Sequence, residues 1–335
     1  MTFHPDSLPD LSGKVWIVTG GNSGVFVSQF SLHLDPIQGS QVYRGYGTVS
    51  RLAEHGAHIY MCARSPTKAS NAIAEIKTLY PKANISLLET DHNSLSSVVS
   101  AANNFLSKET TLHGLINNAG IMGTPLEITR DGYEAQWQTN YLAHWVFTSH
   151  LLPIMLRTSK SLPPGSVRVV NVSSSGHFWA PKGGINLADT SVASKSNMNR
   201  YGQSKLANIL HAKTLNKVHG PSSPTSKAGH GEIWTSAVDP GLVKSGLASK
   251  IAEPEWWMKL TGPMASLGLQ QDADTGARSS LFCAASPDMK AEQSGTYFQQ
   301  NASAGWQSCS AKDMILAAKL EDWTKVEMAK GNWVD

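Results

Sequence analysis

The sequence predicts an α/β fold in which one doubly wound parallel sheet carries helices on both faces, within a single domain over residues 1–335. Short apolar runs rich in β-branched residues alternate with longer stretches of helical periodicity, an order typical of parallel sheets. We find no internal repeat, block of like charge or linker poor in apolar residues that would mark a second domain. The first run ends in a glycine cluster, and a strand followed by such a cluster is typical of the phosphate-binding loop of an α/β domain.

The elements follow one another regularly along the chain. Strands are predicted over residues 15–18, 57–64, 84–89, 113–120, 166–172, 233–238 and 295–298. Helices are predicted over residues 45–56, 66–80, 94–106, 132–156 and 201–218, and a C-terminal helical tail over 302–335. Ser94 has the residue type and position of a helix N-cap. Because ligands bind beyond the carboxyl ends of strands in such sheets, where the polar and glycine-bearing loops lie, we expect one composite site.

Composition excludes several classes of function. The chain has 335 residues, of which 41% are hydrophobic and 16% charged, and its net charge is +3. That charge is too small and its basic residues too scattered for a nucleic-acid-binding protein. The 3 cysteines and 12 histidines show no metal-ligand spacing, so we expect no metal and a reducing, cytoplasmic environment. We find no signal peptide and no run long enough to span a membrane.

The glycine cluster after the first strand is interrupted. It is the segment Thr19-Gly20-Gly21-Asn22-Ser23-Gly24, whose glycines would let a pyrophosphate approach the main chain. A helix should follow at once, but residues 26–44 stand before Gly45 and leave an uninterrupted glycine motif when removed. We hypothesise that they are a retained intron; a genuine loop is the alternative. Either way, we expect them to separate the first glycines from the helix N-terminus and to weaken dinucleotide binding.

Tyr201 and Lys205 give the strongest catalytic signal. At positions i and i+4 they share one helix face. A phenol ordinarily titrates near pH 10, and an ammonium beside it favours the phenolate and brings its pKa towards neutrality. Such a pair also occurs on solvated helix faces, which is the alternative here. The catalytic interpretation gains weight because the cluster Ser173-Ser174-Ser175 ends the fifth predicted strand.

The motifs that carry a family resemblance are Thr19-Gly20-x-x-x-Gly24, Asn117-Asn118-Ala119-Gly120, Asn140, Val172-Ser173-Ser174, Tyr201-x-x-x-Lys205 and Pro240-Gly241. Together they resemble the short-chain dehydrogenase/reductase family over nearly the whole chain. The residues around Asn140 and Tyr201 are similar to the retinol dehydrogenase and WW-domain oxidoreductase-like branch, and to fungal reductases with tailoring roles in secondary metabolism. The resemblance implies a Rossmann-type sheet and hydride transfer between a nicotinamide cofactor and a carbonyl/alcohol pair.

The resemblance also implies roles for four catalytic residues. Tyr201 would be the general acid/base, and Ser174 would hydrogen-bond the same substrate oxygen. Lys205 would lower the pKa of Tyr201 and hold the nicotinamide ribose. Asn140 would hold a water that relays protons to Lys205. Either serine beside Ser174 is an alternative for its role.

The end of the second predicted strand bears on cofactor choice. Arg64 and Lys68 lie there without an acidic residue, and an arginine accommodates a ribose 2′-phosphate, so NADP is favoured over NAD. The alternative is that Arg64 is a solvated surface charge. The resemblance places Asp91 at the adenine and Asn117 beside the adenosine ribose. The full set of expected cofactor-binding residues is Gly20, Asn22, Ser23, Gly24, Val25, Gly45, Arg64, Lys68, Asp91, Asn117, Tyr201, Lys205, Pro240, Gly241, Val243 and Ser245.

Residues 245–270 are expected to form a substrate lid. Trp256 and Trp257 in it, and Phe178 and Trp179 after the serine cluster, would line a pocket for a bulky apolar carbonyl or alcohol; packing on the sheet is the alternative. The family implies a possible homodimer. An NADP-dependent oxidoreductase is the first interpretation. A non-catalytic Rossmann-fold scaffold or regulatory protein with an impaired cofactor site is the second.

Overall fold

The sheet at the centre of the molecule confirms the predicted α/β class. The computed structural model describes residues 3–22, 44–241 and 273–334. In these ranges the sheet has eight strands in the order β3-β2-β1-β4-β5-β6-β7-β8, all parallel except β8. The strands are β1 (Val15–Thr19), β2 (His58–Ala63), β3 (Asn84–Glu89), β4 (Gly114–Asn117), β5 (Arg168–Val172), β6 (Trp234–Val238), β7 (Tyr297–Gln299) and β8 (Ser303–Ala304). Strand order reverses between β1 and β4, the position at which ligands bind in doubly wound sheets.

Helices cover both faces of the sheet. They are α1 (Arg44–Glu54), α2 (Pro66–Leu79), α3 (Leu95–Leu106), α4 (Ala135–Trp137), α5 (Ala143–Lys160), α6 (Asn197–His219), α7 (Pro224–Lys227), α8 (Ala273–Ala285), α9 (Cys309–Lys312) and α10 (Met314–Lys330). A π-helical turn, Gln138–Leu142, joins α4 to α5. Helix α8 was not predicted, and the expected helical tail over 302–335 begins instead with the short strand β8.

The core consists of two apolar layers, one on each face of the sheet. Along β1, Ile17 packs into the layer under α3, α5 and α6, whereas Trp16 and Val18 pack into the layer under α1, α2 and α8. This alternation follows from the two-residue period of a strand. Since both faces are covered, the strand is apolar throughout, which is why its sequence is a continuous hydrophobic run.

Two predicted helix starts differ in the structure. The Ser94 hydroxyl does not cap α3; the backbone N–H of Leu95 donates instead to Asp131 Oδ2 at 2.8 Å. Helix α6 begins at Asn197, before the predicted start at Tyr201, because Ser196 and Asn199 form a reciprocal capping box. Tyr201 therefore lies inside a regular helix rather than at its frayed first turn.

Candidate active site

The two separated parts of the glycine motif are adjacent in space. Gly20 turns the chain after β1 with a φ of +64°, and a Cβ placed on Gly45 of α1 would overlap the Gly20 carbonyl oxygen. The expectation that residues 26–44 keep the first glycines away from the helix N-terminus is therefore wrong for this pair. Ser23, Gly24, Val25 and residues 26–43 lie outside the described residues. Asn22 is the last described residue of the turn and is half-buried.

Hydrogen bonds join the turn after β1 to the turn after β4. The backbone N–H groups of Asn118 and Ala119 donate to Thr19 Oγ1 at 2.8 and 2.9 Å. Asn118 Nδ2 also donates to the Thr19 carbonyl oxygen at 2.8 Å. No role was predicted for Thr19 or Asn118 from the sequence. Their only signal there was their place in the two matching motifs.

The side chain of Asn117 is buried between the sheet and α5. It is 1% exposed, and its Nδ2 donates to Asn171 Oδ1 at 2.9 Å and to Thr148 Oγ1 at 3.0 Å. Side chains of successive strand residues point to opposite faces, and that of Asn117 points under α5. The expected place of Asn117 beside the adenosine ribose stays a prediction, in which its backbone would make the contact.

The expected adenosine end of the site lies at the carboxyl ends of β2 and β3. Arg64 and Lys68 are both exposed there, and Ser65 caps α2 by accepting from the Lys68 backbone N–H at 3.4 Å. Asp91 is half-buried. Its Oδ1 accepts from the backbone N–H of Asn93 at 3.0 Å, so this carboxylate shapes its own turn. The two strands are hydrogen-bonded neighbours, which brings Arg64, Lys68 and Asp91 to one edge of the sheet.

Ser174 and Tyr201 meet at Gly176. A Cβ on Gly176 would lie 2.6 Å from Tyr201 Cε1 and 3.3 Å from Ser174 Oγ, so the tyrosine ring and the serine hydroxyl flank one point. Ser173 is fully buried, and its hydroxyl donates to the Lys205 carbonyl oxygen at 2.7 Å, facing away from that point. No role was predicted for Gly176, because only the fold shows that a side chain there would displace Tyr201.

Lys205 and Asn140 approach each other at Gly120. Lys205 Nζ lies 5.8 Å from the centroid of the Tyr201 ring and donates to the Val172 carbonyl oxygen at 2.9 Å. A Cβ on Gly120 would lie 3.3 Å from Lys205 Nζ and 3.0 Å from Asn140 Oδ1. These three side chains and that of Ser174 therefore lie close together at the carboxyl ends of β4 and β5.

The π-helical turn Gln138–Leu142 places Asn140. Asn140 is fully buried, and its Nδ2 donates to the Ile121 carbonyl oxygen at 3.0 Å and to Ser204 Oγ at 2.9 Å. Its Oδ1 accepts from the Ile121 backbone N–H at 2.8 Å. The side-chain amide thus fixes the turn after β4 against α6, which leaves the main-chain carbonyl as the group for any further contact. A π-helical turn inside an α-helix frequently marks a functional site.

Comparison with known proteins identifies the family. The short chain dehydrogenase model matches residues 44–256. The short-chain dehydrogenase/reductase drtF of Aspergillus calidoustus is 46% identical over 334 residues, covering 99% of this chain and 98% of its own length. The chain belongs to the short-chain dehydrogenase/reductase family. Human polyprenol dehydrogenase is 30% identical, over 84% of this chain and 76% of its own length. A crystal structure from Mycobacterium paratuberculosis aligns with a TM-score of 0.69 at 26% identity, covering 98% of both chains.

Members of this family use a nicotinamide cofactor, and the described residues of this short-chain dehydrogenase/reductase fit a dinucleotide. The N-terminus of α1 lies against Gly20, and the backbone N–H groups of a helix N-terminus suit a phosphate. At the other end, Pro240 and Gly241 follow β6. Asp239 accepts from the backbone N–H groups of Gly241 at 2.9 Å and Ser175 at 2.8 Å, so it joins this turn to the serine loop.

The turn that follows Ser174 carries exposed aromatic rings. Phe178 and Trp179 are 48% and 39% exposed, so they do not simply pack on the sheet. Val243, Ser245 and the expected lid over 245–270, with both of its tryptophans, lie outside the described residues. No cluster of metal-ligating side chains is found in the described ranges, and no helix of the described chain could cross a membrane.

Proposed function

We propose that this short-chain dehydrogenase/reductase interconverts a carbonyl and an alcohol by hydride transfer with NADP, using Tyr201 as the general acid/base. The convergence of Ser174, Tyr201 and Lys205 at the carboxyl end of β5 carries the proposal. These three groups are what carbonyl reduction needs: a donor to orient the oxygen, a proton source and a cation beside it. The family membership and the fungal relative support an oxidoreductase activity. We propose that the reaction is a tailoring step in secondary metabolism.

Three residues would have different roles in the proposed reaction. The Ser174 hydroxyl would hold the substrate oxygen against Tyr201 Oη, and Tyr201 would deliver its proton to that oxygen during reduction or remove it during oxidation. The Lys205 ammonium would stabilise the phenolate that forms, because it is buried beside the ring where solvent screens little of its charge. The bound cofactor supplies or accepts the hydride.

NADP is proposed over NAD because of the charges after β2. Arg64 and Lys68 are exposed cations, and the segment Ala63-Arg64-Ser65 has no carboxylate for a ribose 2′-hydroxyl. Arg64→Asp should weaken NADPH binding and strengthen NADH binding, since it replaces attraction for the 2′-phosphate by repulsion. Fluorescence titration of both cofactors measures this. An unchanged ratio of the two dissociation constants would favour the solvated-charge interpretation of Arg64.

Tyr201→Phe tests the activity itself. The substitution removes the phenolic hydroxyl and leaves the ring that packs on Gly176, so the fold should persist. General acid/base catalysis contributes about 10²–10⁴-fold, and turnover of a panel of apolar ketones and alcohols with NADPH or NADP should fall by that factor. Turnover that survives the substitution would exclude Tyr201 as the acid/base.

A non-catalytic scaffold is the second candidate. It is favoured by residues 26–44, which interrupt the glycine motif, and it predicts no turnover of any ketone or alcohol by the native chain. We further propose that the substrate is apolar, since Phe178 and Trp179 are exposed in the turn that follows Ser174. A cytoplasmic location and a homodimer complete the proposal; the free cysteines Cys62, Cys283 and Cys309 suit a reducing compartment.

A further inference from the structure

His144 is a buried histidine that joins two parts of the site. It lies one turn after Asn140, and its ring is fully buried between the end of β1 and the π-helical turn. Its Nε2 lies 2.9 Å from Thr19 Oγ1 and its Nδ1 lies 3.0 Å from the Asn140 carbonyl oxygen. A single ring thus contacts both the turn that would hold the pyrophosphate and the main-chain carbonyl of Asn140, which the side-chain hydrogen bonds of Asn140 do not use.

The partners of His144 determine which nitrogen carries its proton. The Asn140 carbonyl can only accept, so Nδ1 must be the donor. Thr19 Oγ1 already accepts from two backbone N–H groups, those of Asn118 and Ala119, so its hydroxyl must donate. The Ile116 carbonyl oxygen is 3.4 Å from that hydroxyl, whereas His144 Nε2 is 2.9 Å away. The hydrogen bonds therefore run from the Thr19 hydroxyl to Nε2, and from Nδ1–H to the Asn140 carbonyl.

We propose that His144 is a positioning residue, whose neutral Nδ1–H ring fixes the Asn140 carbonyl in the active site and the Thr19 hydroxyl in the cofactor turn. The proposal rests on the proposed function, because the proposed function assigns Asn140 to catalysis and the turn after β1 to cofactor binding. One bond orients the carbonyl at the end of the expected proton path towards Lys205. The other holds Thr19, on which the turns after β1 and β4 both depend.

The surroundings of His144 keep its ring neutral. Burial lowers its pKa well below the ordinary range of histidine, and nearby His92 and Lys205 lower it further. The His92 ring packs edge-on at 4.7 Å between centroids, and burial lowers the pKa values of His92 and His211 to about 4. The hydrogen-bond pattern of His144 should consequently stay the same over the working pH range.

Two half-substitutions separate the two bonds. His144→Asn keeps a donor where Nδ1 lies but no longer reaches Thr19, whereas His144→Gln keeps an acceptor near Nε2 but loses the donor to Asn140. His144→Asn should keep kcat within about twofold and raise the NADPH dissociation constant about fivefold, the effect of one hydrogen bond. His144→Gln should do the reverse: about a tenfold loss in kcat with the dissociation constant within about twofold.

The split between kcat and cofactor affinity distinguishes positioning from mere packing. If both half-substitutions lowered kcat, affinity and Tm together, or if neither changed kcat or affinity, the proposal would be overturned. Nuclear magnetic resonance of ¹⁵N-labelled histidine in the native chain supplies an arm that needs no turnover. We expect an Nδ1–H tautomer at His144 that does not titrate between about pH 5 and 9. An Nε2–H tautomer would refute the proposal, whereas absence of turnover with an Nδ1–H tautomer would refute only the proposed activity.

Discussion

Lys205→Met is the substitution that tests the electrostatics of the site most directly. It keeps the aliphatic chain of Lys205 and removes the charge that lies 5.8 Å from the Tyr201 ring centroid. With the phenolate charge placed at that centroid and an effective dielectric constant of about 20, this 5.8 Å separation corresponds to about 3 kcal/mol, or about two pH units. The variant should therefore need a pH about two units higher to reach half-maximal oxidation of an alcohol.

The assay is the pH dependence of kcat/KM for alcohol oxidation with NADP. The matched control is Lys213→Met on the same helix, which removes a lysine bonded to Gln307 Oε1 at 2.7 Å and to the Ala311 carbonyl oxygen at 2.6 Å. The control should leave the acid limb of the profile in place while costing comparable stability. If the Lys205→Met limb stayed within about 0.3 pH units of the native one, the ammonium would not act on Tyr201 in the way proposed.

Three further predictions follow from contacts in the structure. Gly45→Ala should raise the NADPH dissociation constant at least about tenfold, because the added Cβ would overlap the Gly20 carbonyl. Alanine itself favours a helix by about 1 kcal/mol over glycine, so a loss would not come from a weaker helix. An unchanged dissociation constant in a titration would contradict the contact. A variant lacking residues 26–44 should bind NADPH more tightly than the native chain, and equal affinity of the two would refute the proposed effect of these residues. The intron hypothesis is tested separately by sequencing the transcript. A dominant transcript that encodes residues 26–44 would refute it. Arg168→Met should cost about 3 kcal/mol in the free energy of unfolding, since the buried guanidinium donates to the carbonyl oxygens of Phe282 and Cys283 near the end of α8 and to that of Gly165 before β5. Denaturant titration beside the exposed control Arg130→Met measures this cost, and equal midpoints would exclude the role.

The order of strands and helices could be predicted because each element carries its own pattern. Every residue of β5 is buried, so the strand is rich in valine. It can therefore be recognised from its own sequence without knowing which strands lie beside it. Helix α8 has no such pattern. It contains Asp274, Gly276 and Ser280 among small apolar residues, which suits close packing against α1 but resembles a loop in the sequence. Its existence depends on a surface that only the folded chain provides.

The proximity of Tyr201 and Lys205 could be predicted because its signal is local, whereas the residues packed against them could not be predicted. Tyr201 and Lys205 are one helical turn apart, so their proximity is present in the sequence. Gly176 comes from a different loop, and its requirement for a bare Cα arises only from the ring beside it. Likewise Asp131, which is distant in the sequence, accepts the hydrogen bond from the Leu95 backbone N–H at the start of α3. The expected local cap by the Ser94 hydroxyl is absent.

The two parts of the interrupted glycine motif are far apart in the sequence but adjacent in space. Val18 of β1 and both Val49 and Leu52 of α1 are buried in the same apolar layer, so the core fixes the strand and the helix relative to each other. Lengthening the connection between two elements fixed in this way costs little, since the entropy of loop closure grows only with the logarithm of length. The stretch over 26–44 is consequently compatible with the fold and with the contact between Gly20 and Gly45. Its effect should fall on the phosphate contacts of the turn itself, so cofactor affinity, and not thermal stability, is the quantity that its removal should change.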